Sequence, residues 1–219
     1  MLQFLECKRE GYPPEKYQNW VNTFRGETWI NEGERPRVEA LITRTRRYHV
    51  DTLPDDAEPF FVTIGADVQA DRIEAEIVAW GRNKESWSIN YHILHGETDD
   101  LDSTAWQGLS EIISAEHAGM PVLLAGIDAG YRTEIVYDFA DSFEAGVHPI
   151  MGYETLGKGR DYIKPYSVEG RRTARIDLNT DLLKQEVYRY VNKQQYESGV
   201  YPPGYMHFPA EYGREHMNR

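Results

Sequence analysis

Three consecutive strand-length segments constrain the fold of this chain more than any other feature. The first, Phe60–Asp67, is mostly apolar and ends in a carboxylate, and the second, Arg72–Trp80, alternates strictly between apolar and polar residues. The third alternates again and assigns four residues to one face: Trp87, Ile89, Tyr91 and Ile93. Because short turns join the three runs, the pattern predicts an antiparallel three-strand meander.

The hydrophobic period changes after the meander. Apolar residues at helical spacing predict a helix from near Ser103 to Gly119–Pro121. The run Val122–Ile127 that follows lacks alternation, which is typical of a strand covered on both faces, and it ends at Asp128. We expect this strand to lie beside the first strand of the meander and parallel to it, through a right-handed crossover.

The remainder of the chain predicts further helices and strands. In chain order these are a helix from Thr133, a strand at His148–Met151, a Gly- and Lys/Arg-rich loop at 152–172, a strand at Thr173–Leu178, a helix from Thr180 and a strand at Tyr205–Phe208. The predicted fold class is therefore α/β, with a ribonuclease H-like mixed sheet. That sheet combines an antiparallel three-strand meander with parallel αβ units and is flanked by helices.

The amino-acid composition differs between two parts of the chain, and it limits the classes of protein to which the chain can belong. Residues 1–59 are rich in Gly, Pro and charged side chains and predict a linker or arm, whereas 60–219 predict one folded domain. The net charge of −12 argues against a nucleic-acid coat protein, although it allows an enzyme with a local basic surface. Cys7 is the only cysteine, which excludes an intramolecular disulfide and a cysteine-based zinc cage. No apolar run approaches the roughly 18 residues of a membrane span.

Asp67 and Asp128 close the two strands that the predicted topology makes neighbours. Adjacent strands lie about 4.8 Å apart, so we expect both carboxylates at one edge of the sheet, close enough to share two metal ions about 3.5–4 Å apart. Such hard oxygen ligands suit Mg²⁺ or Mn²⁺. An aspartate at a strand end also commonly makes a turn or caps the next helix, and that alternative stays open for each residue alone.

Positive charge is concentrated in one loop of this acidic chain. Between Thr155 and Arg175 there are six basic residues and only two acidic ones. A flexible basic loop suits a phosphate backbone, although a solvated surface loop would have the same composition. Its glycines also predict that the segment 152–172 is poorly packed without DNA. The residues predicted to contact DNA are Arg72, Arg132, Lys158, Arg160, Arg171 and Arg172.

Other sequence motifs that could mark a functional site do not indicate one here. Gly152–Lys158 fits the first seven positions of a P-loop, but Gly159 stands where Ser or Thr must hold Mg²⁺, so nucleotide binding is excluded. His92 and His95 are three residues apart on one strand and therefore point to opposite faces. The sequence contains no G-x-S-x-G nucleophile motif.

A series of short segments stands in an order that is typical of one family. The segments are Trp20–Trp29, Ile64–Arg72, Val78–Gly81, Glu85–Trp87, Ile127–Thr133, Asn179–Lys184 and His207–Pro209. In this order they resemble the nuclease domain of the lambda-type terminase large subunit, the DNA-packaging motor protein of tailed phages. The resemblance covers essentially the whole chain.

The resemblance implies a Mg²⁺- or Mn²⁺-dependent endonuclease that cuts concatemeric phage DNA by two-metal phosphodiester hydrolysis in the host cytoplasm. The implied partners are double-stranded DNA, the terminase small subunit and the portal, with no membrane. The first two metal-binding acids of the family fall on Asp67 and Asp128. Asp181 matches a further recurrent acid, for which stabilising its own helix from the first turn is the alternative.

The sequence also departs from the family pattern. The ATPase half is missing, and the family continues beyond His207–Pro209 with an acidic block and a helix that bears another carboxylate. We therefore expect a fragment that is truncated at its C-terminus and whose metal site is incomplete. Two other functions remain open: a catalytically incomplete packaging module that binds DNA, portal or small subunit, and an unrelated ribonuclease H-like enzyme such as a resolvase.

Overall fold

A computed structural model of the protein describes residues 41–42, 44, 48–157 and 161–213. These residues form strands β1 Pro59–Val68, β2 Arg72–Gly81, β3 Ser86–His95, β4 Glu116–His117, β5 Met120–Asp128, β6 Val147–Tyr153, β7 Ile163–Tyr166, β8 Arg175–Asn179 and β9 Met206–His207. They also form helices α1 Thr104–Ser114, α2 Thr133–Ser142 and α3 Thr180–Val191. None of the helices within these ranges is long and apolar enough to cross a membrane.

The strands form a mixed sheet in the order β7-β8-β6-β5-β1-β2-β3-β9, with β4 paired to β5 alone. The meander β1-β2-β3 is antiparallel, and β1, β5, β6 and β8 run parallel to one another. This arrangement confirms the predicted α/β class and the predicted parallel pairing of the first strand with the strand that ends at Asp128. It is consistent with a ribonuclease H-like fold.

The core lies against one face of this sheet. Alternate residues of β1 and β2, such as Ile64 and Ile77, are buried there. Trp106 of α1 and Phe139 of α2 pack over this face, with ring centroids 4.7 Å apart. Because one face of the meander is buried, the other face is free to carry polar side chains.

A β-bulge interrupts the alternation of β3. Ile77 of β2 pairs with Asn90, whereas its neighbour Val78 pairs with Ser88, so Ile89 is one extra residue in β3. The prediction that Tyr91 and Ile93 share a face with Trp87 and Ile89 is therefore wrong. After the bulge, Tyr91 lies opposite Glu76, Ile93 opposite Glu74 and His95 opposite Arg72. Because one extra residue reverses the direction of every later side chain, Tyr91, Ile93 and His95 face the polar side of the sheet.

Two other predicted elements differ from the structure. The first helix ends at Ser114 rather than near Gly119, because the backbone becomes extended at Ala115 and the short hairpin β4–β5 follows. Ala118 and Gly119 have positive φ angles and make the tight turn of that hairpin. The strand β5 is not covered on both faces, since Leu123 and Leu124 are 61% and 44% exposed.

The basic loop 152–172 contains a strand that sequence reasoning missed. The strand β7 pairs antiparallel with β8: Ile163 lies opposite Leu178 at one end, and Tyr166 lies opposite Arg175 at the other. Since β8 is parallel to β6, Tyr162 just before β7 lies at the edge where β6 ends, and Ser167 just after β7 lies at the opposite edge. The described residues of the loop on the two sides of β7 therefore lie at opposite ends of the sheet.

Candidate active site

Asp67 and Asp128 lie beside each other at one edge of the sheet, which we call the acid edge. The parallel pairing of β1 and β5 runs to Ala66 and Ile127, and each aspartate is the next residue. Ala66 and Ile127 are buried on the core side, so both aspartates project from the opposite, polar face. Asp67 is exposed and Asp128 is half-buried. The topology thus brings the two predicted acids together, while their chemical role stays a prediction.

Each aspartate accepts a hydrogen bond from a residue two positions later. The Gln69 side-chain amide Nε2 donates to Asp67 Oδ2 at 3.0 Å. The backbone N–H of Gly130 donates to Asp128 Oδ1 at 3.0 Å. Neither carboxylate forms an ion pair with any basic residue that the structure describes. The two carboxylates are therefore oriented but not neutralised.

A glycine precedes each aspartate by two residues on the same face. Gly65 and Gly126 are paired directly across β1 and β5. A Cβ at position 65 would meet nothing within 4 Å, whereas one at position 126 would lie 3.3 Å from Ile150 Cδ1. Packing thus explains the glycine of β5 but not that of β1. Gly65 leaves open space beside the acids, as glycines do where a ligand approaches the backbone.

The donor set at the acid edge fits a hard divalent cation. Two neighbouring carboxylates that lack ion-pair partners among the described residues offer oxygen ligands, which Mg²⁺ and Mn²⁺ prefer. Mg²⁺ commonly binds through one or two carboxylates together with water and substrate phosphate oxygens. Within the described ranges, no group of three or more His, Cys, Asp or Glu side chains is placed to hold a metal ion.

Asp181 does not join the two aspartates. It is exposed in the first turn of α3, and the helix begins after Asn179, whose side chain accepts a hydrogen bond from Leu182 N at 3.1 Å. The strand β8 that leads into α3 is separated from β5 by β6. This position suits an interaction with the positive end of the helix dipole, and the geometry gives no support to metal binding by Asp181.

Two of the predicted DNA-contact residues lie near the acid edge. Arg72 begins β2 next to the β1–β2 turn, and its Nε donates to Glu74 Oε1 at 2.7 Å while Nη1 donates to Asp71 Oδ1 at 3.0 Å. Arg132 immediately precedes α2, with its guanidinium 4.7 Å from the Tyr131 ring centroid. Its buried Nε has no hydrogen-bond partner within the described residues.

Arg171 and Arg172 are placed elsewhere. The side chain of Arg171 is 19% exposed and pairs with Glu134 and Asp138 of α2. Arg172 donates to the backbone carbonyls of Asp141 and Phe143, at the C-terminal end of that helix. Both arginines follow β7 and lie away from the acid edge, so their charges stabilise α2 rather than face the aspartates. Lys158 and Arg160 lie outside the described residues.

Sequence reasoning missed the polar residues beside Asp67. Glu74 lies directly opposite Asp67 in the β1–β2 pairing and accepts hydrogen bonds from Arg72 and from the Tyr91 hydroxyl. Next to this pair, Glu76 lies opposite Gly65. Burial raises the pKa of the Glu76 carboxyl, and a hydrogen bond with the Ser88 hydroxyl at 2.8 Å opposes that rise. The glutamates were visible as the polar half of an alternating strand, but the contact of Tyr91 with Glu74 depends on the bulge in β3.

Comparison with known proteins matches residues 3–219 to the family described as terminase large subunit gpA, endonuclease domain. The terminase large subunit of Escherichia phage lambda is 29% identical over 208 residues, which cover 89% of this chain and 30% of that protein. The terminase large subunit of Enterobacteria phage P21 is 25% identical over 181 residues, which cover 80% of this chain and 28% of that protein. The chain thus spans less than a third of the length of these curated relatives. No solved structure matches the chain significantly.

Proposed function

The chain belongs to the family of terminase large subunit gpA endonuclease domains, and from this premise we propose that it hydrolyses phosphodiester bonds of double-stranded DNA at the acid edge. The observation that carries the proposal is the pairing of β1 with β5, which sets Asp67 beside Asp128. In its biological setting, we propose cleavage of concatemeric phage DNA in the host cytoplasm, together with a small terminase subunit and a portal.

Asp67 and Asp128 are proposed to hold Mg²⁺ or Mn²⁺ through their carboxylate oxygens. A divalent cation there would polarise the phosphodiester and assist the ionisation of an attacking water, and a pair of cations would do both. Gln69 and Gly130 fix the orientation of the two carboxylates through one hydrogen bond each. Fixed geometry matters because hydrolysis requires the attacking and leaving oxygens to stay in line.

Basic residues at the same edge are proposed to contact the DNA. Arg132 follows Asp128 by four residues, and Arg72 lies next to the turn that follows β1. Lys158 and Arg160 remain in the proposal on sequence grounds alone. Arg171 and Arg172 do not, because their partners are on α2. A small number of basic contacts predicts modest, salt-sensitive affinity for DNA.

A plasmid-nicking assay tests this proposal. The unmodified chain should convert supercoiled plasmid to open circles in the presence of Mn²⁺ and not in EDTA. We expect slower nicking in Mg²⁺, because Mg²⁺ demands near-ideal octahedral geometry from a small protein ligand set. Asp67→Asn should abolish nicking, since it removes a charge from the cation's ligand while keeping the shape.

The matched control is Asp55→Asn, which changes an exposed aspartate that precedes β1 and therefore lies at the opposite end of that strand. This variant should nick at the unmodified rate. If Asp67→Asn nicks as fast as Asp55→Asn, the reaction centre is not at the acid edge and the proposal fails.

A catalytically incomplete packaging module is the alternative. The observation that favours it is the small ligand set, since among the described residues no group of three or more His, Cys, Asp or Glu side chains is placed to hold a metal ion. Such a module would bind duplex DNA, a portal or a small terminase subunit without cutting DNA. DNA binding with no nicking in either Mn²⁺ or Mg²⁺ would select this alternative.

A further inference from the structure

An open cleft of about 550 Å³ adjoins the acid edge on the side of β2 and β3. The residues that line it are Gln69, Arg72, Glu74, Ile93 and His95. Of these, only Arg72 belongs to the set that the sequence predicted to contact DNA. Because of the bulge at Ile89, Ile93 and His95 face the polar side of the sheet, where they contribute to the lining of the cleft.

The cleft is continuous with the candidate active site. Gln69, which lines the cleft, donates its side-chain amide to Asp67 at 3.0 Å. Across the sheet, Asp67 lies opposite Glu74, and Glu74 lies opposite Ile93. Successive strands lie about 4.8 Å apart, so the cleft begins within one or two strand spacings of Asp67. A polynucleotide bound at the aspartates would therefore pass the mouth of the cleft.

Arg72 is held in place on the wall of the cleft. Its Nε and Nη1 donate to Glu74 and Asp71, and the Tyr91 hydroxyl also donates to Glu74. Its Nη2 has no hydrogen-bond partner among the residues that the structure describes. A guanidinium that is already fixed loses less conformational freedom when it donates to a ligand.

The lining favours a ligand with both an apolar surface and hydrogen-bonding edges. Ile93 supplies an apolar wall, while Gln69, Arg72 and the exposed imidazole of His95 supply polar groups. Because Glu74 and Asp71 offset the charge of Arg72, the wall has no excess positive charge with which to hold a free anion. A base with its deoxyribose has the required combination, and the volume lies within the usual range of about 300–1,000 Å³ for small-ligand pockets.

We infer that this cleft binds one nucleotide of the DNA strand next to the phosphodiester at Asp67 and Asp128. The base packs against Ile93, and Arg72 with Gln69 offers donors to its edge. The inference rests on the proposed function for the position of the reacting phosphodiester. Its own measurable consequence is DNA affinity rather than cleavage.

Fluorescence anisotropy with a fluorescein-labelled 20-base-pair duplex, in Ca²⁺ in place of Mg²⁺, tests the inference. The variants are Ile93→Ala and His95→Ala, which remove the apolar wall and the imidazole, and Arg72→Ala, which removes the fixed guanidinium. The matched control is Arg82→Ala, since Arg82 is an exposed arginine immediately after the other end of β2. Thermal unfolding of each variant establishes that the fold is retained.

We expect Ile93→Ala and Arg72→Ala each to weaken DNA binding by about tenfold, because the first removes an apolar contact and the second removes charge-assisted hydrogen-bond donors. His95→Ala should weaken binding less, and Arg82→Ala should bind like the unmodified chain. Folded Ile93→Ala and His95→Ala variants that bind DNA with unchanged affinity would overturn the inference. An equal loss in Arg72→Ala and Arg82→Ala would also overturn it, because binding would then follow overall charge.

Asp67→Asn separates this inference from the proposed function. If Asp67→Asn still cleaves DNA while the cleft variants lose affinity, the proposed reaction centre is wrong and the cleft stands as a DNA contact. If Asp67→Asn is inactive but the cleft variants bind normally, the cleft inference alone fails. An unmodified chain that binds no duplex overturns both.

Discussion

Gly130 orients Asp128 through its backbone and, because it has no side chain, does not crowd the Asp128 carboxylate. Its backbone N–H donates to Asp128 Oδ1 at 3.0 Å, and a Cβ at position 130 would lie 3.3 Å from that same oxygen and 3.6 Å from Oδ2. Such a contact is tighter than ordinary packing, so a side chain here would move the carboxylate by a few tenths of an ångström. The position of one proposed metal ligand is therefore set by the absence of a side chain two residues later.

We expect Gly130→Ala to lower the nicking rate by roughly tenfold, because small displacements of reacting groups are costly in catalysis. The thermal midpoint should change little, since Gly130 is exposed and its φ angle is not in the left-handed region. Nicking of supercoiled plasmid in Mn²⁺ measures the effect. Gly213→Ala is the control, because a Cβ there meets nothing within 4 Å. Equal rates for the two variants would contradict the positioning role.

Gly65→Val should lower the rate of DNA nicking without lowering the stability of the fold. A Cβ at this position meets nothing within 4 Å, and valine is favoured in strands, so the variant should be at least as stable as the unmodified chain. The added methyl groups would occupy the space beside Asp67, and we expect nicking to fall several-fold or more. Thermal unfolding and plasmid nicking, compared with Gly213→Val, check both halves. Undiminished nicking would show that the DNA does not approach this part of β1.

Arg171→Ala should lower stability and leave DNA affinity unchanged. The variant loses the ion pairs with Glu134 and Asp138 and leaves these acids, together with Asp141, close to one another on α2. The acids are partly exposed, so we expect a decrease in the thermal midpoint of only a few degrees, and a smaller decrease at 1 M salt. Weaker DNA binding at unchanged stability would instead support the original sequence-based assignment of Arg171 to DNA.

Glu76→Gln should stabilise the protein more as the pH rises. Burial raises the pKa of the Glu76 carboxyl in the folded state, so the folded protein binds this proton more tightly than the unfolded chain does. Stability from this group is therefore present at low pH and is lost as the pH rises through the raised pKa. Glutamine keeps a partner for Ser88 and carries no charge to desolvate.

Urea unfolding of Glu76→Gln at pH 5 and pH 8 measures this difference. The gain in free energy of unfolding over the unmodified chain should be larger at pH 8. The control is Glu111→Gln, which changes an exposed glutamate of α1. A gain that is equal at both pH values would show that ionisation of Glu76 is not its cause.

The central sheet was predictable because its signals are local and repeated. The strict alternation of β2 and the apolar run of β5 fixed the positions of the strands, and their order fixed which two would pair. Asp67 and Asp128 then followed as the residues at the ends of these strands. The same reasoning identified the helix from Thr180 and the strand before it.

The rest of the site could not be predicted, because it depends on structural features that the hydrophobic periodicity of the sequence does not indicate. The bulge in β3 leaves no mark in the sequence, because Ile89 and Asn90 continue an apparently regular alternation. The strand β7 is exposed at every residue and contains Pro165, so it has no buried face to produce a pattern. The partners of Arg171 were invisible because they come from α2, which lies more than 25 residues earlier in the chain.

The bulge at Ile89 makes the length of β3 as important as its composition. Removing one residue between Ser88 and Tyr91 would leave nearly the same amino acids in the strand. Beyond that point, however, the side chains that now face the core would face the polar side of the sheet, and those that now face the polar side would face the core. The phenol of Tyr91 would then be directed into the interior, and Glu74 would lose the hydrogen bond from the Tyr91 hydroxyl. A single-codon deletion here should therefore disable this edge of the sheet more completely than replacing any one of its side chains.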